Sequence, residues 1–248
     1  MSDVKRLGLL VHGTPKIGKS WLAESCPGPV LILDGEGSTD FLKRKRRQEW
    51  NPINPPPTDV GPDDVVVVKA TDWQTVVLVN QWLSSGQHPF NSFAVDTLTE
   101  WQKKCKATIS ASAFDDTRQW GQLLDKMELV VRFWRDLLDH PTHPLYAVVI
   151  ITQTVEKEKG GQKPDVQGAL TRSLGSFFDV IGFLRPRMQE GQLLPTRELV
   201  IAPYPGIEAG DRTDDLTQLY PGGIIPNPDI TEMVRKLNNQ PAPQEATA

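Results

Sequence analysis

Apolar residues gather along this chain in short dense runs separated by amphipathic stretches. Seven runs stand out: RLGLLVH (6–12), PVLILD (29–34), VVVVKA (65–70), SFAVDT (92–97), LYAVVIIT (145–152), DVIGFLRP (179–186) and RELVIAP (197–203). Each is short, rich in β-branched and aliphatic residues, and largely continuous rather than alternating. That is the pattern of a strand covered on both faces. Helix-like segments begin near Lys19, Ser38, Asp72, Leu98, Thr117 and Gly168. Strands alternating with helices predict an α/β fold, a mainly parallel sheet with helices on both faces. The last strands have short connections, which predicts an antiparallel extension at one edge.

Three stretches depart from the rhythm. NPINPPPTDVGPDD (51–64) is expected to be a Pro-rich surface loop, and EKEKGGQKPDVQG (156–168) a polar, Gly-rich mobile one. NNQPAPQEATA (238–248) is expected to be a frayed tail after a short helix at Asp229 to Leu237. The chain has no internal repeat. Its 248 residues are enough for one sizeable core. The expected division is therefore a core domain at 1–226 and a helix with tail at 227–248.

Composition narrows the chemistry. A net charge of −4 excludes a protein-wide field for nucleic acid, so any such binding must come from local patches. Cys26 and Cys105 form no C-x-x-C pair, and His140 and His143 in HPTHP have no carboxylate or thiol beside them, so no zinc site is expected. The first residues carry too short an apolar run for a signal peptide, and no stretch is long enough to span a membrane. The expected location is the cytoplasm, in a reducing compartment.

Gly13-Thr14-Pro15-Lys16-Ile17-Gly18-Lys19-Ser20 matches G-x-x-x-x-G-K-[ST] in full, with a strand before it and a helical stretch from Trp21 after it. In such a loop the glycines let backbone N–H groups turn toward a phosphate. Lys19 then reaches the β- and γ-phosphates of ATP and Ser20 ligates Mg²⁺. Gly13 through Trp21 are the expected nucleotide contacts. A second metal-side carboxylate is expected at the end of a neighbouring strand, and SFAVDT supplies Asp96. The alternative for Asp96 is a strand-end residue capping the helix from Leu98.

Two further elements occur in register with these. Asp34-Gly35-Glu36-Gly37 follows the second strand, and Thr152-Gln153 ends the strand before the polar loop. Thr97, not an acid, follows Asp96. This arrangement resembles the RecA-like recombinases. Over roughly residues 6–215 the order of parts resembles the phage-encoded RecA-like ATPases associated with single-strand annealing, including the segments RQWGQLL, GQKPDVQGALTRSLGSFFDVIGFL and EAGDRTD. The resemblance implies that Glu36 polarises the attacking water, and that Gln153 senses the γ-phosphate and passes its state to a DNA-contacting loop at 154–168. It further implies ATP hydrolysis coupled to recombination, and assembly of several copies on single-stranded DNA, with a single-strand-binding protein as a further partner. Lys157, Lys159 and Lys163 in that loop would contact DNA. So would Lys103, Lys104 and Lys106, which fall where RecA-like folds place another DNA-facing loop. Glu36 also reads as a polar β–α turn residue near a helix start.

Other features admit two readings each. Lys43 to Arg47 are five consecutive basic residues, either a solvated helix face or a phosphate or subunit contact. Arg118 and Trp120 offer a phosphate contact and a stacking ring, or, for Trp120, core packing beside Leu123, Leu124 and Met127. Arg212 reaches a neighbouring subunit's nucleotide, as distal basic residues do in oligomeric ATPases, or pairs with Asp211 or Asp214. QKPD lies inside a Gly-rich loop and not at a strand end, which removes it as a guanine-reading motif. Two rival functions share the same scaffold: a small-molecule kinase, against which stands the lack of arginine in 156–168, and a non-enzymatic module switched by nucleotide.

Overall fold

The apolar runs pair because each exposes a full row of backbone N–H and C=O groups while burying both faces. A computed structural model describes residues 4–42, 45–69, 72–110, 116–157, 160–187 and 196–240. Its strands are β1 (Leu7–Gly13), β2 (Val30–Asp34), β3 (Arg46–Glu49), β4 (Asp64–Lys69), β5 (Ser92–Asp96), β6 (Ala147–Thr152), β7 (Thr154–Glu156), β8 (Gln162–Pro164), β9 (Val180–Arg187), β10 (Thr196–Val200), β11 (Gly210–Asp211) and β12 (Ile224–Pro226). The helices are α1 (Lys19–Glu24), α2 (Trp73–Ser85), α3 (Leu98–Ser110), α4 (Asp116–Asp136), α5 (Leu170–Phe177), α6 (Asp215–Leu219) and α7 (Ile230–Leu237).

Among the described residues the main sheet runs β12-β10-β9-β1-β6-β5-β2-β4-β3, with β11 added beside β9. From β9 to β3 the pairings are parallel. Antiparallel β10, β11 and β12 extend it past β9, as the short connections predict. The fold is the mainly parallel α/β sheet with an antiparallel edge extension expected from the sequence. Helices cover both faces. Trp101 of α3, Trp134 of α4 and Phe177 of α5 fill one core, and Leu22 of α1, Leu216 of α6 and Met233 of α7 fill the other.

Helix α7 belongs to the second core. Ile230, Met233, Val234 and Leu237 are all buried there, each worth about 1.5–3 kcal/mol relative to exposure. Asp229 caps it by accepting from the Glu232 N–H at 3.0 Å, and Thr231 donates to the Ser25 carbonyl just beyond α1. The tail from residue 241 lies outside the described residues.

Three expectations need correction. The described part of the basic run, Lys45 to Arg47, lies on no helix: Arg46 and Arg47 open the edge strand β3, paired with β4. Arg46 faces Asp64 in register and binds both its carboxylate oxygens, at 2.8 and 2.7 Å. Arg47 pairs with Asp40 and Glu49, and Lys45 donates to the Cys26 carbonyl. The charges are thus matched inside the chain, on an edge where charge also discourages further strand addition. Lys43 and Arg44 lie outside the described residues. The segment 156–168 is not irregular throughout: its residues Gln162–Pro164 form β8, paired antiparallel in a hairpin with β7 at Thr154–Glu156. The helix expected near Ser38 is a single 3-10 turn, Ser38–Phe41.

Candidate active site

Parallel strands with helical crossovers leave a crevice at their C-terminal ends, and here the tips of β1, β6, β5 and β2 meet. Strand β1 delivers Gly13 against β9. A Cβ on Gly13 would stand 2.5 Å from the Leu184 carbonyl oxygen, so only glycine fits. The chain then turns through Lys16 at φ 65° and Gly18 at φ 100°, left-handed positions of the kind found in backbone anion cradles. Lys19 opens α1 and is only 6% exposed. Its ammonium donates to the carbonyls of Gly13 (2.8 Å) and Thr14 (3.0 Å) and to Gln153 Oε1 (3.3 Å). Burial lowers its pKa, while Asp96 and Glu36 pull it back up.

Ser20, the next residue, donates to Asp96 Oδ2 at 2.5 Å, and Ser38 donates to the same oxygen at 2.7 Å. Asp96 is 2% exposed. Burial pushes its carboxyl up to about 6 against the pull of the two hydroxyl donors, and Asp34 and Glu36 add to the rise. A carboxylate flanked by two hydroxyls is a set of hard oxygen donors, and Asp34 and Glu36 stand near it. These residues fit Mg²⁺.

Glu36 extends from the tip of β2, the strand beside β5. Asp34 builds the turn that presents it: its Oδ1 accepts from the N–H groups of Glu36, Gly37 and Ser38, and its Oδ2 from Thr39. Glu36 Oε1 accepts from Thr97 Oγ1 at 2.8 Å and from Gln153 Nε2 at 3.0 Å. The Gln153 amide thus bridges Lys19 and Glu36. Its backbone is tied as well, its N–H to Thr99 Oγ1 and its carbonyl to the Asp165 N–H.

A cavity of about 520 Å³ receives Lys19, Ser20, Glu36, Asp96 and Gln153, within the roughly 300–1,000 Å³ typical of small-ligand sites. Pro15, Lys16 and Trp21 border it too, whereas Thr14 is exposed and Ile17 packs toward the second core. The structure therefore gathers the five residues named for phosphate, metal, water and sensing around one space.

Other sequence-named residues lie elsewhere. Lys103 pairs with Glu100, Lys104 lies over the Trp101 ring, and Lys106 lies over Trp120, which is 39% exposed and so not core. Lys157 pairs with Glu208, Lys163 stands on β8, and Lys159 lies outside the described residues. Arg212 pairs with Asp179 and donates to the Ser176 carbonyl at 2.7 Å, at the end of α5. Neither Asp211 nor Asp214 is its ion-pair partner. The side chain of Arg118 is not among those described.

Several site residues carry little or no signal in the sequence. Ser38 and Thr97 are small polar residues in turns. His12, one residue before the cradle, is buried; its Nδ1 accepts from Thr154 Oγ1 (2.9 Å) and its Nε2 donates to the Glu208 carbonyl (2.7 Å). Burial above all holds its pKa down at about 4, so the ring is neutral and this tautomer satisfies both nitrogens. Arg197 of β10 lies over the Trp21 ring at 4.3 Å, beside Gly18. Nothing in its own strand distinguishes it.

A family model described as AAA domain matches residues 5–213, a span that takes in the cradle, both carboxylate strands, Gln153 and the hairpin. No curated protein matches the chain.

Proposed function

The chain belongs to the AAA domain family, a family of nucleotide-binding P-loop ATPases, and on that premise we propose that it is a Mg²⁺-dependent ATPase of the phage-encoded RecA-like type, acting on single-stranded DNA in recombination or annealing. One observation carries the chemical half: Lys19, Ser20, Asp96, Glu36 and Gln153 border a single cavity, with Glu36 oriented by Thr97 and Gln153.

The N–H groups of the loop and the Lys19 ammonium take the β- and γ-phosphates. Ser20 and Asp96 would hold Mg²⁺, which supplies positive charge to the phosphate oxygens when bound. Glu36 orients the attacking water and accepts its proton, the role a carboxylate can fill when two donors fix its direction. When ATP draws Lys19 to its phosphates, the Lys19–Gln153 bond is released. Gln153 is bonded through its backbone to Asp165 and leads directly into β7, so its shift reaches the hairpin that carries Lys157 and Lys163. That route supports a DNA-responsive hairpin. Several copies on one strand, with a single-strand-binding protein nearby, are the expected working form. For Arg212 to reach a neighbouring copy's nucleotide, it would have to leave Asp179 and Ser176.

The test is ATP turnover with and without a long single-stranded oligonucleotide, at several Mg²⁺ concentrations. Mg²⁺-dependent hydrolysis that rises with the oligonucleotide is the expected result. ATP binding without turnover would instead favour a nucleotide-switched module, and phosphate transfer to a small acceptor would favour a kinase.

A further inference from the structure

The cradle region holds more than the phosphate cavity. A second cavity of about 230 Å³ adjoins it, with Gly18, Trp21 and Arg197 bordering both. At that size it is below the roughly 300–1,000 Å³ usual for a whole small-ligand site, and the three shared residues join it to the larger space.

The order of groups sets a direction. Glu36, Asp96 and Gln153 mark the γ-phosphate end, and Lys19 and Ser20 the middle. The next residue, Trp21, borders the exit into the second space. There Leu22, Leu184 and Pro228 form one wall and the polar Asn227 and Asp229 another, and neither Glu36 nor Asp96 lines that part. Trp21 is 41% exposed, a large ring left at the mouth of a polar cleft. The Arg197 guanidinium lies over it at 4.3 Å from the ring centroid. A planar cation on an indole is a surface suited to another flat π-system.

Local structure holds this pair in place. Asn227 donates its N–H to the Arg197 carbonyl at 2.7 Å, and the neighbouring Glu198 is buried in a pair with Arg185. A Cβ at residue 18 would come within 2.6 Å of the Arg197 guanidinium carbon. Gly18 thus serves both the left-handed turn and the close approach of this arginine.

We infer that Arg197 and Trp21 form the nucleobase subsite, so that the site recognises a nucleotide and not only a polyphosphate. This rests on the ATPase assignment above and adds a specificity-determining residue, Arg197, contributed by the antiparallel part of the sheet.

Calorimetric binding of ATP and of inorganic tripolyphosphate, each with Mg²⁺, tests it in the wild type, Arg197→Ala and Arg197→Lys. The wild type should bind ATP more tightly than tripolyphosphate. Arg197→Ala should weaken ATP by roughly 10-fold, the scale of one cation–π or stacking contact, with tripolyphosphate affinity unchanged. Arg197→Lys, which keeps the charge and loses the plane, should resemble Arg197→Ala. Retained tripolyphosphate binding also shows that the variants are folded. A parallel loss of both ligands would make Arg197 a phosphate group and overturn the inference. Unchanged ATP affinity would overturn it too. A wild type that binds neither ligand would overturn the ATPase assignment itself, and the subsite with it.

Discussion

Glu36 and Asp96 are carboxylates on the tips of adjacent strands, yet their surroundings divide their work. Asp96 is buried and takes two serine hydroxyls, whereas Glu36 takes Thr97 and the Gln153 amide. Glu36→Gln should therefore still bind ATP while turnover falls by about 10²–10⁴-fold, the range for loss of a general base. Asp96→Asn should instead raise the Mg²⁺ concentration needed for activity. Lys19→Ala should lose tight ATP binding with its circular dichroism unchanged, since the loop lysine supports little of the core; ATP affinity equal to wild type would remove the P-loop as the binding site. His88 allows a test remote from this chemistry. It packs against Phe90 and His143, and burial, followed by the charges of His143 and His140, lowers its pKa from 6.5 to about 4, with a backbone contact at Leu83 acting the other way. Between those two values the unfolded chain binds a proton that the native state refuses. Stability is therefore lost as pH falls through that window, by up to about 3 kcal/mol from this one group. In His88→Phe that loss disappears, and titrations of groups remote from His88 cancel in the comparison with wild type. Urea midpoints should favour the variant increasingly as pH drops from about 7 to about 4.5; a constant difference would contradict the assignment.

At the level of elements, what the sequence reveals depends on how local each cause is. The seven apolar runs were legible because burial on both faces is written into each run, and Gly13 to Ser20 because a cradle needs its residues contiguous. Strand β3, Arg46–Glu49, has no apolar residue at all; it forms because Arg46 meets Asp64 across the ladder. The hairpin was illegible for a similar reason. Its polar, glycine-rich segments are fixed by distant partners: Gln162 donates its N–H to the Gly206 carbonyl at 2.6 Å and accepts from the Glu208 N–H at 2.9 Å, and His12 joins Thr154 to Glu208. Arg197 was missed likewise, since only sheet topology brings β10 beside the cradle. His12→Phe keeps a ring of similar size and removes both bonds. Each buried group left without a partner costs about 1–3 kcal/mol, so the variant should unfold earlier. Hydrogen exchange should quicken in residues 154–164 while ATP still binds. Wild-type protection there would show that His12 does not hold the hairpin.

For the molecule as a whole, a net charge of −4 means that single-stranded DNA must be met by a local patch. Much of the basic surface is already engaged. Lys45, Arg46 and Arg47 bind groups of their own chain, Lys103 pairs with Glu100, and Lys104 and Lys106 lie over tryptophan rings. Lys157 is engaged too, with Glu208, but the hairpin is the element joined directly to Gln153, which makes Lys157, Lys159 and Lys163 the proposed DNA contacts. Three phosphate contacts on a single strand give a slope of only about −2 in log affinity against log salt, too shallow and too weak for one copy to hold DNA alone. Affinity should therefore rise steeply with oligonucleotide length as further copies bind the same strand, each at the effective concentration set by its neighbours. Replacing all three lysines with alanine should leave ATP turnover without DNA unchanged, lower the affinity for a long oligonucleotide and flatten its salt dependence. Particle size by light scattering, with and without that oligonucleotide, reports whether assembly fails together with binding. A triple variant that binds and assembles as the wild type does would exclude the hairpin as the DNA contact, leaving Lys103 to Lys106, on the helix that begins beside Asp96, as the surface to substitute next.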